Sequence, residues 1–229
     1  MIGRFALVCL DMAGTTVRDD GAVESAFDQA LAAVGVSGGT PQYEAAHRFV
    51  RETMGWSKAD VFASLLDPDP AQRATAAFAS TYEAIVASGQ VEPISGALAV
   101  LRDLRAGGVK VCLTTGFAPS TRDALLDALG WHDEVDLALS PADVGRGRPA
   151  PDLVLGAMAR LGIDDPAHVV VVGDTVSDLE AGTAAGAGAV IGVLSGAHDE
   201  QTLLVAPHTA ILPDVTGLIA LLEPTPKAL

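Results

Sequence analysis

Two aspartates occupy the places in this chain where chemistry is easiest to assemble. Phe5-Ala6-Leu7-Val8-Cys9-Leu10 is an apolar run of strand length that stops at Asp11 and passes into Met12-Ala13-Gly14-Thr15-Thr16. His168-Val169-Val170-Val171-Val172-Gly173 is a β-branched run that stops at Asp174. Asp178 follows one helical turn later, so both carboxylates can face one point. A third run, Val109-Lys110-Val111-Cys112-Leu113, ends in Thr114, Thr115 and Gly116. Parallel strands buried on both faces read as such runs, and ligands of open α/β sheets bind just beyond the carboxyl ends of the strands. An Asx turn would explain any one of these endings; three endings of complementary chemistry point to a site. Two carboxylates and a hydroxyl at strand ends make a hard oxygen-donor set suited to Mg²⁺ and a phosphoryl group. Gly14 lets the backbone turn tightly beside Asp11.

The elements that must position these groups follow from periodicity. After Thr16 the strand pattern vanishes, and the chain reads as helices over Val23–Val34, Gln42–Thr53, Lys58–Leu66 and Ala71–Ser88, punctuated by Pro41, Pro68 and Pro70. After Pro93 the two patterns alternate. Helices are expected over Ala97–Ala106, Ser120–Leu129, Asp152–Leu161 and Ser177–Ala185, and strands over Val135–Leu139, Val169–Asp174, Ala189–Val193 and Ala210–Leu212. Repeated β–α units imply a mostly parallel sheet covered by helices. The chain therefore divides into an α/β core, residues 1–17 and 92–229, and a helical insert, 18–91. An insert that leaves directly after the first strand's aspartate must rise over the site, which makes it a cap. The stretches Val17–Gly21 and Gly89–Pro93 suit hinges for opening and closing it.

At 229 residues the chain suits a core with a smaller insert and can bury a sizeable interior. A net charge of −15 argues against nucleic acid and anionic membranes as partners. A protein this acidic that binds an anion must supply local cations, from a metal or from particular Arg and Lys residues. Cys9 and Cys112 lie inside apolar strands and read as buried free thiols, with no disulfide or zinc spacing. The N-terminal apolar run is too short for a signal peptide, and no stretch is long and apolar enough to span a membrane. The expectation is a soluble, cytoplasmic protein; a homodimer stays open.

These residues resemble the haloacid dehalogenase superfamily of aspartate-nucleophile phosphotransferases, with Asp11 opening its first motif, Thr114 as its second and Gly173-Asp174-x-x-x-Asp178 as its fourth. The resemblance covers nearly the whole chain. It implies a Rossmann-like three-layer core with a parallel sheet and an inserted α-helical cap, acting on a small phosphorylated or phosphonate metabolite. Asp11-x-Ala13-Gly14-Thr15-Thr16, Gly147-Arg148-Pro149 and Gly173-Asp174-Thr175-Val176-Ser177-Asp178 look like the phosphonoacetaldehyde hydrolase (phosphonatase) branch. Met54-Gly55-Trp56-Ser57-Lys58-Ala59-Asp60 is similar to the segment carrying that branch's Schiff-base lysine.

The resemblance also implies roles. Asp11 would attack phosphorus to form an aspartyl-phosphate, splitting one hard displacement into two. Mg²⁺ would be held by Asp11, the Ala13 backbone carbonyl and Asp174, with Asp178 orienting the ligands from behind or binding metal-bound water. Thr114 and the following amide would hold a phosphoryl oxygen, with Thr115, Gly116 and Met54 on the substrate side. The superfamily usually has a lysine in the loop before the 152–161 helix. None of the three lysines here lies in that loop, and Arg148 takes the role, able to fork onto carboxylate and phosphoryl oxygens; Arg146 reads as a solvated surface arginine.

Ala13 is diagnostic. Ordinary phosphatases of the superfamily carry there an aspartate that protonates the leaving group, a contribution of roughly 10²–10⁴-fold. An alanine cannot, whereas cleavage of a C–P bond needs an electron sink on carbon instead. Lys58 is the one lysine in the insert, and Met54, Trp56 and Phe62 could desolvate it into an imine-forming amine. Against the branch pattern, Val61 stands for a histidine, Phe117 for a tyrosine and Ala22 for a cysteine; His47 is a candidate substitute proton carrier. Three functions stay in view: a Mg²⁺-dependent hydrolase of a small carbonyl phosphonate, a phosphatase for esters or anhydrides with good leaving groups, and a non-catalytic phospho-metabolite binding protein.

Overall fold

The computed structural model describes residues 4–222; the outermost parts of the expected core range, 1–3 and 223–229, lie outside it. Six strands form one sheet in the order β3-β2-β1-β4-β5-β6: β1 Leu7–Asp11, β2 Lys110–Thr114, β3 Leu137–Leu139, β4 Val169–Gly173, β5 Ala189–Val193 and β6 Ala210–Leu212. Every pairing is parallel, with Asp11 opposite Thr114 and Leu10 opposite Val172. This is the α/β, Rossmann-like architecture expected from the alternating pattern.

The strands are apolar throughout because both faces are covered. Side chains alternate between faces, and the core divides accordingly. Val8 and Leu10 join one apolar cluster with Val100, Leu101 and Leu104 of α5 (Ala97–Ala106). Leu7, Cys9 and Cys112 join the other, with Leu153, Val154 and Ala157 of α7 (Asp152–Leu161). Both cysteines are free and buried.

Between β1 and α5 the chain forms four helices: α1 Ala22–Ala33, α2 Pro41–Glu52, α3 Lys58–Leu65 and α4 Pro68–Ala87. Local chemistry sets their starts. Thr40 accepts the Tyr43 N–H at the head of α2 and Ser57 that of Asp60 at the head of α3. Pro68 opens α4 three residues before the periodicity predicts, because proline at the first helical position loses no hydrogen bond. Phe27, Phe62 and Phe78 interlock at ring separations of 4.9–6.3 Å to form the insert's own interior. The chain enters and leaves the insert side by side: Arg18 N–H donates to Glu92 (2.9 Å) and Ile94 N–H to Thr16 (3.0 Å). No helix among the described residues is long and apolar enough to cross a membrane.

Candidate active site

β1, β2 and β4 are neighbours in the sheet, so their carboxyl ends open on one spot. After Asp11 the chain reverses in a tight turn in which the Met12 carbonyl accepts from Thr16 and Val17 (2.9 and 2.8 Å). Gly14 sits there at φ +90°, and a Cβ on it would lie 2.5 Å from Asp174 Oδ2, so the turn and the carboxylate fit together only around glycine. Asp174 is held from two sides, by the Thr15 hydroxyl on Oδ1 (3.0 Å) and the Ala197 N–H on Oδ2 (2.7 Å). The loop after β5 that supplies Ala197 is itself tied to the turn, Ser195 donating to the Gly14 carbonyl (2.7 Å).

Arg148 is buried between two carboxylates. Its Nη1 lies 2.6 Å from Asp11 Oδ1 and also binds Asp178. Asp178 caps α8 (Val176–Ala184) as well, accepting the Thr175 N–H (3.1 Å). The buried Arg148 Nε has no partner within the protein, leaving a charged donor unspent beside the cavity. Buried donors are rarely left so, and an anionic ligand would satisfy this one.

The insert supplies the opposite wall. Lys58 is the first residue of α3; its N–H donates to the Gly116 carbonyl (3.1 Å), and Ser177 donates to the Met54 carbonyl (2.9 Å). The insert backbone passes so close to Gly116 that a Cβ there would collide with the Trp56 carbonyl oxygen. The Lys58 side chain is 7% exposed, and its Nζ lies 5.4, 5.9 and 5.6 Å from the ring centres of Phe27, Phe78 and Phe117. Behind Phe117 stands Tyr82, fully buried, its hydroxyl unpartnered within the protein. Asp11, Ala13, Asp174, Arg148, Thr115 and Lys58 all line one small cavity of about 40 Å³. A groove of about 680 Å³ adjoins it, sharing Asp19, Met54 and Ala197 as walls.

Crowded, desolvated charge dominates this cavity. Burial pushes Asp11 well above the usual carboxylate range against the pull of Arg148, and Asp178 and Asp174 push the same way. Burial and then the Asp178 charge raise Asp174 to about 7. Burial works against the Arg148 charge, but Asp178 and Asp11 outweigh it and hold the guanidinium protonated. Burial, and then Arg148, lower Lys58 to about 8.

The donor set bears on metal. No three His, Cys, Asp or Glu side chains converge to hold an ion among the described residues. Mg²⁺ does not require that many; it typically takes one or two carboxylates and keeps several waters. Asp11 and Asp174 face one cavity, each raised by burial and by its carboxylate neighbours, and a hard dication between them would relieve both. The residues present fit Mg²⁺; Asp11, Asp174 and the Ala13 carbonyl are the groups that could hold it.

The residues singled out in the sequence are placed unevenly. Asp11, Ala13, Met54, Lys58, Thr115, Gly116, Arg148 and Asp174 line the cavity. Thr114 and Asp178 do not: the Thr114 hydroxyl turns back to the Leu10 carbonyl (3.4 Å), and Asp178 is engaged by Arg148 and the α8 cap. Thr115, the residue just past the end of β2, faces the cavity in place of Thr114. His47 binds Asp28 and stacks on Tyr43, away from Lys58, and Arg146 pairs with Asp152 at the surface. The sequence reading missed Asp19, Thr175 and Ala197 as wall residues; an acid at the start of the insert was the one available signal.

Comparison with known proteins supplies the family. Residues 5–186 match the family model described as haloacid dehalogenase-like hydrolase. The chain is 35% identical over 123 residues to the phosphonoacetaldehyde hydrolase of Bacteroides fragilis, a match spanning 53% of this chain and 46% of that protein. It is 32% identical over 204 residues to the phosphonoacetaldehyde hydrolase of Latilactobacillus sakei, covering 78% and 72% of the two chains. The probable phosphatase IndB of Dickeya dadantii is 33% identical over 214 residues, 90% and 88% of the respective lengths. Among solved structures, the phosphonoacetaldehyde hydrolase-like protein of Oleispira antarctica superposes with a TM-score of 0.81 at 24% identity, over 96% of this chain and 92% of that one, which speaks to the fold.

Proposed function

The chain belongs to the haloacid dehalogenase-like hydrolases, and from that premise we propose that it cleaves the C–P bond of a small phosphonate carrying a carbonyl β to phosphorus, with residues 18–91 acting as a cap over the site. The observation that carries this reading is Lys58, a buried amine lowered to about 8 on the wall of the cavity that holds Asp11. A merely anion-attracting lysine would be expected in water, where its charge is cheap.

Lys58 condenses with the substrate carbonyl, and the oxygen departs as water, leaving a protonated imine. Arg148 pins Asp11 Oδ1, so that the carboxylate can present its second oxygen to phosphorus. Attack forms the O–P bond of an aspartyl-phosphate and breaks the C–P bond, whose electron pair moves into the imine to give an enamine. The Arg148 Nε and the Gly116 N–H receive the phosphoryl oxygens, the Thr115 N–H being spent on the Leu139 carbonyl (3.1 Å). Asp11 and Asp174 would hold Mg²⁺, which would neutralise charge as two anions approach. Water then hydrolyses the acyl phosphate, and protonation and hydrolysis of the enamine free Lys58. Ala13 leaves no general acid beside the leaving group, and this route needs none there. The cavity's small volume suits a substrate of few atoms.

Borohydride added with phosphonoacetaldehyde tests the reading. It should leave a reduced adduct on Lys58, found by peptide mass, with loss of activity, and Lys58→Arg should release no phosphate from the phosphonate. Full phosphonate turnover by Lys58→Arg, or no adduct, would overturn it. The 90% coverage by a probable phosphatase favours one second reading, hydrolysis of phosphate esters or anhydrides with good leaving groups; it predicts turnover of acyl phosphates that Lys58→Arg retains.

A further inference from the structure

The carbonyl half of this route needs a group that moves protons, and the cavity holds one with no role so far. Of its ionisable wall residues, Asp11, Asp174 and Arg148 serve the phosphoryl end, and Lys58 is the amine. The fifth is Asp19, in the segment that carries the chain from β1 into α1. We propose that Asp19 is the acid–base residue of imine chemistry at Lys58; the inference rests on the carbonyl-phosphonate reading.

Three observations place it there. Asp19 lines both the 40 Å³ cavity and the 680 Å³ groove, so one carboxylate faces the reacting atoms and the solvent that must resupply protons. Its Oδ1 is fixed by the Val23 N–H (2.9 Å) at the head of α1, leaving Oδ2 uncommitted. Lys58 and Asp19 line the same cavity and feel each other's charge, yet no ion pair joins Lys58 to a carboxylate among the described residues, so the amine is not locked to the acid. Burial also raises Asp19 above its ordinary value. Phe117 beside Lys58 carries no proton, Val61 does not line the cavity, and His47 binds Asp28 and is not among the cavity walls.

The steps balance. The Asp19 carboxylate takes one proton from the Lys58 ammonium, and the neutral amine adds to the carbonyl carbon. A second proton passes from nitrogen to the former carbonyl oxygen, giving a neutral carbinolamine. Asp19, now a carboxylic acid, returns its proton to that hydroxyl, which leaves as water while the nitrogen lone pair closes the protonated imine. Asp19 ends as the carboxylate it began as.

Asp19→Asn isolates this role, because the asparagine Oδ1 can still accept the Val23 N–H that Asp19 accepts, and a merely structural Asp19 would lose nothing. The expected result is a fall of roughly 10²-fold in phosphonoacetaldehyde turnover. Borohydride trapping at Lys58 should slow in parallel, and Asp19→Glu should restore part of both rates. In Asp19→Gly, added acetate should rescue turnover. If the wild type turns over phosphonoacetaldehyde and is trapped at Lys58, but Asp19→Asn matches it in both rates, the Asp19 assignment is overturned and the Lys58 route stands. If the wild type is never trapped, the underlying reading has failed instead.

Discussion

Replacing Lys58 by Met is the most informative single perturbation, because it reads the amine's desolvation without any substrate. Folding takes this group from an ordinary value of 10.5 to about 8. A difference of about 2.5 pH units corresponds to about 3 kcal/mol of stability withheld while the amine is protonated. The three surrounding rings favour the cation and are already part of the folded state; at about 0.5–1 kcal/mol each they can reduce the net penalty to about 1 kcal/mol. The sign follows from proton uptake. Between about pH 10.5 and 8 the unfolded chain binds a proton that the folded protein does not, so wild-type stability falls as pH falls through that window and the whole penalty is in force below 8. Met fills a similar volume with no charge. Urea unfolding at pH 7 should therefore find Lys58→Met more stable by about 1–3 kcal/mol, and at pH 10 the gap should close to within about 1 kcal/mol. A Lys58→Met protein less stable than wild type at pH 7, or an advantage unchanged at pH 10, would refute the desolvated amine. The same lowering gives the amine its reactivity: at pH 7 roughly one molecule in ten carries it neutral, against about one in three thousand at the ordinary value.

Asp174, raised to about 7 from 3.8, stabilises the metal-free protein fully only below pH 3.8 and loses that contribution as pH rises towards 7. Wild type in chelator should accordingly melt at a lower temperature at pH 8 than at pH 5.5, Mg²⁺ should reduce the difference, and Asp174→Asn should show a smaller pH effect, the remainder coming from the raised Asp11, and no Mg²⁺ shift in a thermal melt. Gly116→Ala drives a methyl into the Trp56 carbonyl at the seam between insert and core, and displacing the Lys58 wall by about an ångström should lower kcat/KM by about 10²-fold with little change in the core's unfolding. Ala13→Asp places a carboxyl on the cavity wall; steady-state assays should find phosphate-ester hydrolysis raised by about tenfold or more, and an unchanged rate would show that the position cannot deliver a proton.

What the sequence determined by itself is the layout. Strands buried on both faces must be apolar without a break, so the Leu7–Asp11 and Val169–Gly173 runs announced both their places and the carboxylates at their ends. Four helices between β1 and α5 could only rise over those ends, and their periodicity and caps marked them to within a few residues; α4 began early because Pro68 starts a helix as readily as it ends one. What only the tertiary structure decided is which neighbours face inward. Thr114 and Thr115 are indistinguishable in sequence; the Thr114 hydroxyl at the end of β2 is spent on the Leu10 carbonyl, and Thr115, just past the strand, lines the cavity. Phe27, Phe78 and Phe117 come from three separate segments, and no spacing says that they meet around one amine. Asp19 looked like any acid before a helix until folding put it on the wall of the same cavity as Lys58. Short-range periodicity records which residues are buried, but a cavity is defined by contacts between segments far apart in the chain, and those exist only once the insert has closed on the sheet.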